Sequence, residues 1–262
     1  MRIAFSKYHG AGNDFILIDD RDLYFPETDA ALIVRLCDRH FGIGADGLML
    51  LRDSARADFA MLYFNSDGHP GTMCGNGGRC ILAFARDLGR LEGKGPFSFE
   101  AADGVHQAFF TEKYRVRLKM GNVDNVREQL KGFRINTGSI HHVEYVDKLA
   151  DVDVITLGKR IRHDPAYAGD KGCNVNFIEI RRDGSIGIRT YERGVENETL
   201  ACGTGSVAAA IVRHYGGCKE MHYRIMAQGG ELRVDFHYDK GVYREVYLEG
   251  PAIPVFHGVI ET

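Results

Sequence analysis

Met73-Cys74-Gly75-Asn76-Gly77-Gly78 has a near copy, Ala201-Cys202-Gly203-Thr204-Gly205-Ser206, about half of the 262-residue chain further on. In each copy a cysteine is followed by Gly, a small polar residue and Gly, and then by an apolar run. The first run is Cys80, Ile81, Phe84, Ala85 and Leu88, closed by Gly89; the second is Val207, Ala208, Ile211, Val212 and Tyr215, closed by Gly216 and Gly217. That spacing predicts two helices, each with one buried face and a glycine stop. Each cysteine then stands immediately before a helix N-terminus, where unpaired N–H groups and the helix dipole favour negative charge. A thiol so placed is expected to ionise below its usual pKa of about 8.5. The neighbouring glycines let a ligand approach the backbone, so the same turn can hold a carboxylate.

A duplication half a chain apart predicts two domains, each strand-rich around one long helix. In the first half, residues 2 to 6 and 14 to 19 read as strands flanking the turn His9-Gly10-Ala11-Gly12-Asn13, where Asn13 offers a side-chain amide. Thr28 is expected to cap a helix running to His40, and strands follow at 48 to 51 and 59 to 64. The second of these delivers Asn65-Ser66-Asp67-Gly68 ahead of the first cysteine, and residues 97 to 119 read as further strands. The second half repeats the scheme: strands near 133 to 137 and 142 to 146, a helix near 151 to 162, and strands at 175 to 180 and 186 to 191. The last of these delivers Tyr191-Glu192-Arg193-Gly194 ahead of the second cysteine, and strands near 221 to 226, 231 to 237 and 242 to 248 follow. Pro251 and Pro254 read as the chain crossing back towards the first domain.

Composition narrows the function classes. The net charge of −3 offers no basic footprint for nucleic acid or an anionic membrane. No secretory segment or membrane span is expected from the sequence, which reads as soluble and cytoplasmic. Six cysteines are too sparse for a disulfide framework, and with no C-x-x-C a zinc site is not expected.

Two acidified thiols beside one carboxylate suit inversion of the carbon next to that carboxylate. Inversion needs a base on one face and an acid on the other, and a matched pair can exchange these roles on reversal. Helix dipoles stabilise the charge that develops as the proton leaves. No metal or pyridoxal cofactor is required for this.

Lys7-Tyr8-His9-Gly10-Ala11-Gly12-Asn13-Asp14-Phe15, Phe64-Asn65-Ser66-Asp67-Gly68, Met73-Cys74-Gly75-Asn76-Gly77, Tyr191-Glu192-Arg193-Gly194 and Ala201-Cys202-Gly203-Thr204-Gly205 together resemble the diaminopimelate epimerases, in order and over nearly the whole chain. The resemblance implies an α+β fold of two pseudo-symmetric domains, each a curled, mostly antiparallel, barrel-like β-sheet around a central helix. The expected domains are 1–118, with 251–262 returning to it, and 119–250. It also implies cofactor-independent interconversion of LL- and meso-diaminopimelate, on the route to lysine and peptidoglycan, with no metal and with a homodimer as the expected assembly. By the same resemblance Cys74 and Cys202 are the catalytic base and acid, and His141 and Glu192 tune their ionisation. Gly75, Asn76, Gly203 and Thr204 are expected to hold the reacting carboxylate, and Asn13, Asn65, Asn174, Glu192 and Arg193 to read the rest of the substrate.

Two positions depart from the family pattern: Gly47 stands where some members carry a substrate-facing Gln, and Ser139 where many have Asn followed by Pro. A proline or hydroxyproline racemase of the same fold is the nearest alternative. Those enzymes resemble Cys-Gly-His at the first cysteine and Asp-Arg-Ser-Pro-Cys at the second, whereas Asn76 and Glu198-Thr199-Leu200-Ala201-Cys202 stand here. Two other classes are open at this level: a cysteine hydrolase with His141 or His142 as base, and a noncatalytic anion-binding module.

Overall fold

The protein is described from a computed structural model that covers residues 1–262. The chain separates into two compact units, Met1–Leu118 with Gly250–Thr262, and Lys119–Glu249. No helix is long and apolar enough to cross a membrane.

In the first unit the chain forms β1 (Arg2–Gly10), β2 (Asn13–Asp19), α1 (Ala30–Cys37), β3 (Gly47–Arg52), β4 (Phe59–Asn65), α2 (Gly75–Asp87), β5 (Phe97–Ala101), β6 (Gly104–Glu112) and β7 (Arg115–Lys119). β1 and β2 are antiparallel, β2 and β3 parallel, β3 and β4 antiparallel, β4 and β5 parallel, and β5–β6–β7 an antiparallel meander. The second unit forms β8 (Arg127–Gln129), β9 (Gly132–Asn136), β10 (Ile140–Tyr145), α3 (Val154–Arg162), β11 (Asn174–Ile180), β12 (Ile186–Glu192), β13 (Asn197–Thr199), α4 (Gly203–Tyr215), β14 (His222–Ala227), β15 (Gly230–Asp239) and β16 (Val242–Pro251). From β9 onward it repeats the same sequence of pairings: β9–β10 antiparallel, β10–β11 parallel, β11–β12 antiparallel, β12–β14 parallel, β14–β15–β16 antiparallel. The two halves thus share one connectivity, with α2 and α4 in the same place. This is the pseudo-symmetric α+β fold that the family resemblance implied.

Both central helices begin one residue after their cysteine, and Cys74 and Cys202 are the N-caps, in extended conformation. Sequence periodicity predicts one buried face on each. Instead α2 is buried all round from Gly75 to Ala85, packed on β1, β2 and β3, and most of α4 is buried likewise. The small residues Gly77, Gly78, Ala83 and Ala85, and Ala208 to Ala210 in α4, are what let a sheet close on a helix from several sides. α1 and α3 lie elsewhere in the sheet packing: Ile33 and Leu36 of α1 join Ile16, Ile18, Leu48 and Leu50, while Val154 and Ile161 of α3 join Val175 and Phe177.

Two sequence expectations need correction. The helix expected from Thr28 to His40 spans only Ala30–Cys37, because Asp29 is the residue whose carboxylate caps it, accepting from Leu32 N at 2.9 Å. At the other end Asp38 is extended and its carboxylate takes the N–H groups of His40 and Phe41 (both 2.7 Å), which stops the helix. The second correction is β17 (Ile253–Glu261), a nine-residue strand antiparallel to β1 where the prolines suggested only a crossing. Pro254 is tolerated because it sits opposite Tyr8, where the β1–β17 register slips, and a proline costs no ladder bond at an irregular edge.

Candidate active site

The hairpin between β1 and β2 sets the first half-site. Gly10 faces Asn13 across a two-residue turn in which Ala11 adopts a φ of 54°, so Asn13 begins β2 with its amide at a fixed place. Its Nδ2 donates to Asp46 Oδ2 at 2.7 Å, and because a carboxylate only accepts, Oδ1 must be the end that faces the cysteine. That oxygen accepts from Asn76 Nδ2 at 3.1 Å and from Cys74 Sγ at 3.7 Å. Asn76 is oriented in turn by Arg79, whose Nη2 donates to Asn76 Oδ1 at 2.7 Å. Asp46 is anchored by Arg39, which also pairs with Asp14. The orientation of the Asn13 and Asn76 amides thus follows from a charged neighbour in each case.

Arg79 was not singled out by the sequence reading. It is fully buried on α2, and its other donors go to Gly75 O at 3.1 Å and Pro251 O at 3.4 Å, so its three acceptors are all neutral oxygens. A buried charge is costly unless an opposite charge compensates it. Burial lowers the Arg79 pKa to about 10, while Cys80 and Cys74 act in the opposite direction. Cys80 is itself completely buried and its thiol is pushed far up, so it is a poor source of compensating negative charge. The matching position in the second copy is Val207, and an arginine aligned with a valine in a buried run was the available signal. Arg79→Met, of similar volume, is expected to raise the pH midpoint for alkylation of Cys74 by about one unit or more. An unchanged profile in a folded Cys202→Ser background would show that the guanidinium serves packing alone.

The second half-site is built on α4, β10, β11 and β12. Cys202 is buried, with its Sγ 3.5 Å from Thr204 Oγ1. Thr204 Oγ1 is also 2.9 Å from His141 Nε2, and His141 Nδ1 is 3.0 Å from Asn176 Nδ2. His141 is fully buried and held neutral, its pKa pushed down to about 3 by burial and then by the nearby Arg193. Glu192 Oε2 accepts from Thr199 Oγ1 at 2.8 Å. Asn174 accepts the Arg193 backbone N–H at 2.9 Å and donates to Ser139 Oγ at 2.9 Å, so its amide fixes the strand ends around Arg193. Arg193 Nη1 reaches the carbonyls of Asp170 and Gly172, at 3.2 and 3.4 Å.

Within the first unit, then, Asn13, Asn76, Gly75 and Cys74 come together, and within the second His141, Thr204, Gly203 and Cys202 do. Asn65 ends β4 in register with Gly47, the place matching Glu192 at the end of β12. Ser139, one of the two departures, serves as the acceptor for Asn174. The other, Gly47, lies under the Tyr63 ring: a Cβ there would stand 2.6 Å from Tyr63 Cε2 and from Phe64 O, so any side chain at 47 requires Tyr63 to move. His142, the neighbour of His141, faces the opposite side of β10 and bonds Tyr167 Oη at 2.7 Å, away from Cys202. His141 cannot act as a hydrolase base either, since its pKa is far below neutrality and both ring nitrogens are engaged.

The buried neutral histidines also set the acid stability. His141 has a folded pKa well below the unfolded value of about 6.5, so the unfolded chain binds the extra proton between the two. The stability this neutral state contributes is complete above about pH 6.5 and is lost as pH falls towards 3, with a limiting slope of ~1.4 kcal/mol per pH unit for one proton. His142 is lowered in the same sense, and Asp14, held down to about 2 by Arg39 and Lys7 against its burial, adds its loss only below about pH 4. Urea midpoints are therefore expected to fall steadily from pH 7 to pH 4.5, and His141→Gln should flatten that fall. A flat wild-type profile would contradict it.

The fold is shared with solved structures of low sequence identity. A phenazine biosynthesis protein of the PhzF family from Bacillus anthracis superposes with a TM-score of 0.79 over 100% of both chains at 14% identity. A probable proline racemase from Agrobacterium radiobacter superposes at 0.69, covering 99% of this chain and 92% of the other, at 16% identity. These likenesses establish the architecture alone. The family model for diaminopimelate epimerase matches residues 5–126 and 133–255. The diaminopimelate epimerase of Flavobacterium psychrophilum is 46% identical over 97% of this chain and 98% of its own. That of Chlorobaculum tepidum is 46% identical over 96% and 98%. The chain belongs to the diaminopimelate epimerase family.

Proposed function

We propose that this protein epimerises diaminopimelate between its LL and meso forms, with Cys74 and Cys202 as its two proton-transfer groups. The observation that carries the reading is the repeated N-cap cysteine on a buried central helix, in a chain nearly half identical to proteins named for this activity. In the forward direction one thiolate removes the α-proton, and the C–H electron pair is delocalised onto the adjacent carboxylate. The second thiol then donates its proton to the opposite face and becomes the thiolate. The balance is zero: one proton is taken and one returned, with no oxidant or cofactor consumed.

Backbone N–H groups at the starts of α2 and α4, those of Gly75 and Asn76 and of Gly203 and Thr204, are suited to hold the carboxylate while charge builds on it. Asn13 and Asn65 in the first unit, and Asn174, Glu192 and Arg193 in the second, are assigned to the remaining polar groups of the substrate. The carboxylate of Glu192 and the guanidinium of Arg193 suit a distal ammonium and a distal carboxylate. His141 and Glu192 are assigned to tuning the thiols. A cytoplasmic location and a homodimeric assembly complete the reading.

The direct test is incubation with LL-diaminopimelate in D2O. Appearance of the meso isomer with deuterium at the inverted carbon supports the proposal. Tight binding without exchange or isomerisation would replace it with an anion-binding module.

A further inference from the structure

Asn176, which lies two residues after Asn174 on β11, is fully buried beneath the second half-site. Its amide ties three strands. Nδ2 donates to the carbonyl of His142 at 2.9 Å, and Oδ1 accepts from Thr190 Oγ1 on β12 at 3.0 Å. A carbonyl cannot donate, so the His142 contact fixes which end of the amide is nitrogen. The atom facing His141 Nδ1 at 3.0 Å is therefore a donor. Nδ1 must accept, and in a neutral imidazole the proton then resides on Nε2. From Nε2 it is donated to Thr204 Oγ1 at 2.9 Å. The hydroxyl's own hydrogen is left to turn towards Cys202 Sγ at 3.5 Å.

We infer that Asn176 is a positioning residue for the reaction: by fixing the tautomer of His141 it aims a chain of donors, Asn176 to His141 to Thr204, at the sulfur of Cys202. A hydroxyl donating to sulfur favours the thiolate over the thiol. The charged groups bordering the chain are Arg193, which opposes protonation of His141, and Glu192, which is engaged by Thr199. Gly205 is part of the device, since a Cβ there would lie 2.3 Å from Asn176 Oδ1 and expel the amide. The inference rests on the proposed role of Cys202, but its test reads the thiol and the imidazole directly and does not depend on turnover.

The first measurement is the His141 tautomer in the 15N-labelled full chain at pH 7. A proton on Nε2 and none on Nδ1 is expected; a proton on Nδ1 would overturn the inference outright. The second is the pH profile for iodoacetamide alkylation of Cys202, in a Cys74→Ser background. Asn176→Ala and Thr204→Val should each raise its midpoint by about one unit, a tenfold weaker thiolate at a given pH. The double variant should shift it no further than either single one, because both break one chain. An unshifted midpoint in folded Asn176→Ala, or shifts that add, would reduce Asn176 to a strand tie. Should Asn176→Ala fail to fold, the wild-type tautomer alone decides. Shifts as expected in a protein that leaves diaminopimelate untouched would keep the relay and discard the epimerase reading.

Discussion

Cys74→Ala and Cys202→Ala should each lose interconversion of LL- and meso-diaminopimelate by roughly 10⁴-fold or more, the upper range for removing a positioned acid or base. The double variant should be no worse than either single one. In the proposed mechanism each thiol performs one half of a single event, and groups that act as a unit give strongly non-additive losses. The remaining cysteines provide the control. Cys37 and Cys173 are buried in the apolar packing, where burial pushes their thiols up to about 12, and Cys218 is only partly buried. Alanine at any of these three should leave kcat within about twofold, as surface and inert core positions do. Cys80, completely buried on α2, should show its loss as stability instead. Following both the isomer ratio and deuterium uptake separates the outcomes. Epimerisation at more than a few per cent in either Cys74→Ala or Cys202→Ala would mean that the pair is not the catalytic unit.

The parts of the fold that were legible in the sequence are those where local chemistry and tertiary demand coincide. The repeated Cys-Gly-x-Gly marked the first turns of α2 and α4 to the residue, because a helix start is specified by its own few residues. β2, β3, β4, β11 and β12 were read from their apolar runs within one residue at most ends. What was missed depended on distant partners. β17 is largely exposed and owes its existence to the ladder with β1, which no local pattern announces. The depth of burial of α2 was likewise unreadable, since glycines and an asparagine look like a polar turn until strands pack around them. In the site, cysteines and neighbouring motif residues were visible, but Arg79 and Asn176 were not. Both act from beneath through other side chains, and only their hydrogen-bond partners reveal what they orient. Asn176 did leave a trace: it shares a strand face with Asn174, two residues away. Arg79 left another, as the one charge in a run of small and apolar residues.

Diaminopimelate is expected to be turned over at least ~10⁴-fold more efficiently, in kcat/KM, than proline or a monoamino acid, the discrimination available to a site that leaves buried polar groups unpaired when the matching substrate group is missing. The groups that would discriminate lie in the second unit. The Arg193 backbone is pinned by Asn174, and its Nη1 is spent on two carbonyls, which prevents the guanidinium from swinging away. Nε and Nη2 remain as a parallel pair of donors, the geometry that takes a carboxylate bidentately. Proline has one carboxylate, which the helix N-termini would occupy, and nothing to offer this second edge. Arg193→Lys keeps the charge and loses the fork, so it should lower kcat/KM for diaminopimelate by about 10 to 100-fold, in line with ~1.5–3 kcal/mol for a hydrogen bond to a charged group. It should confer no gain with proline, because the loss of a distal contact does not build a pocket for a ring. Parallel kinetics of the wild type and Arg193→Lys with both substrates decide the matter. Comparable wild-type rates on proline would overturn the assignment of substrate, and a Lys variant with unchanged kcat/KM for diaminopimelate would remove Arg193 from its recognition.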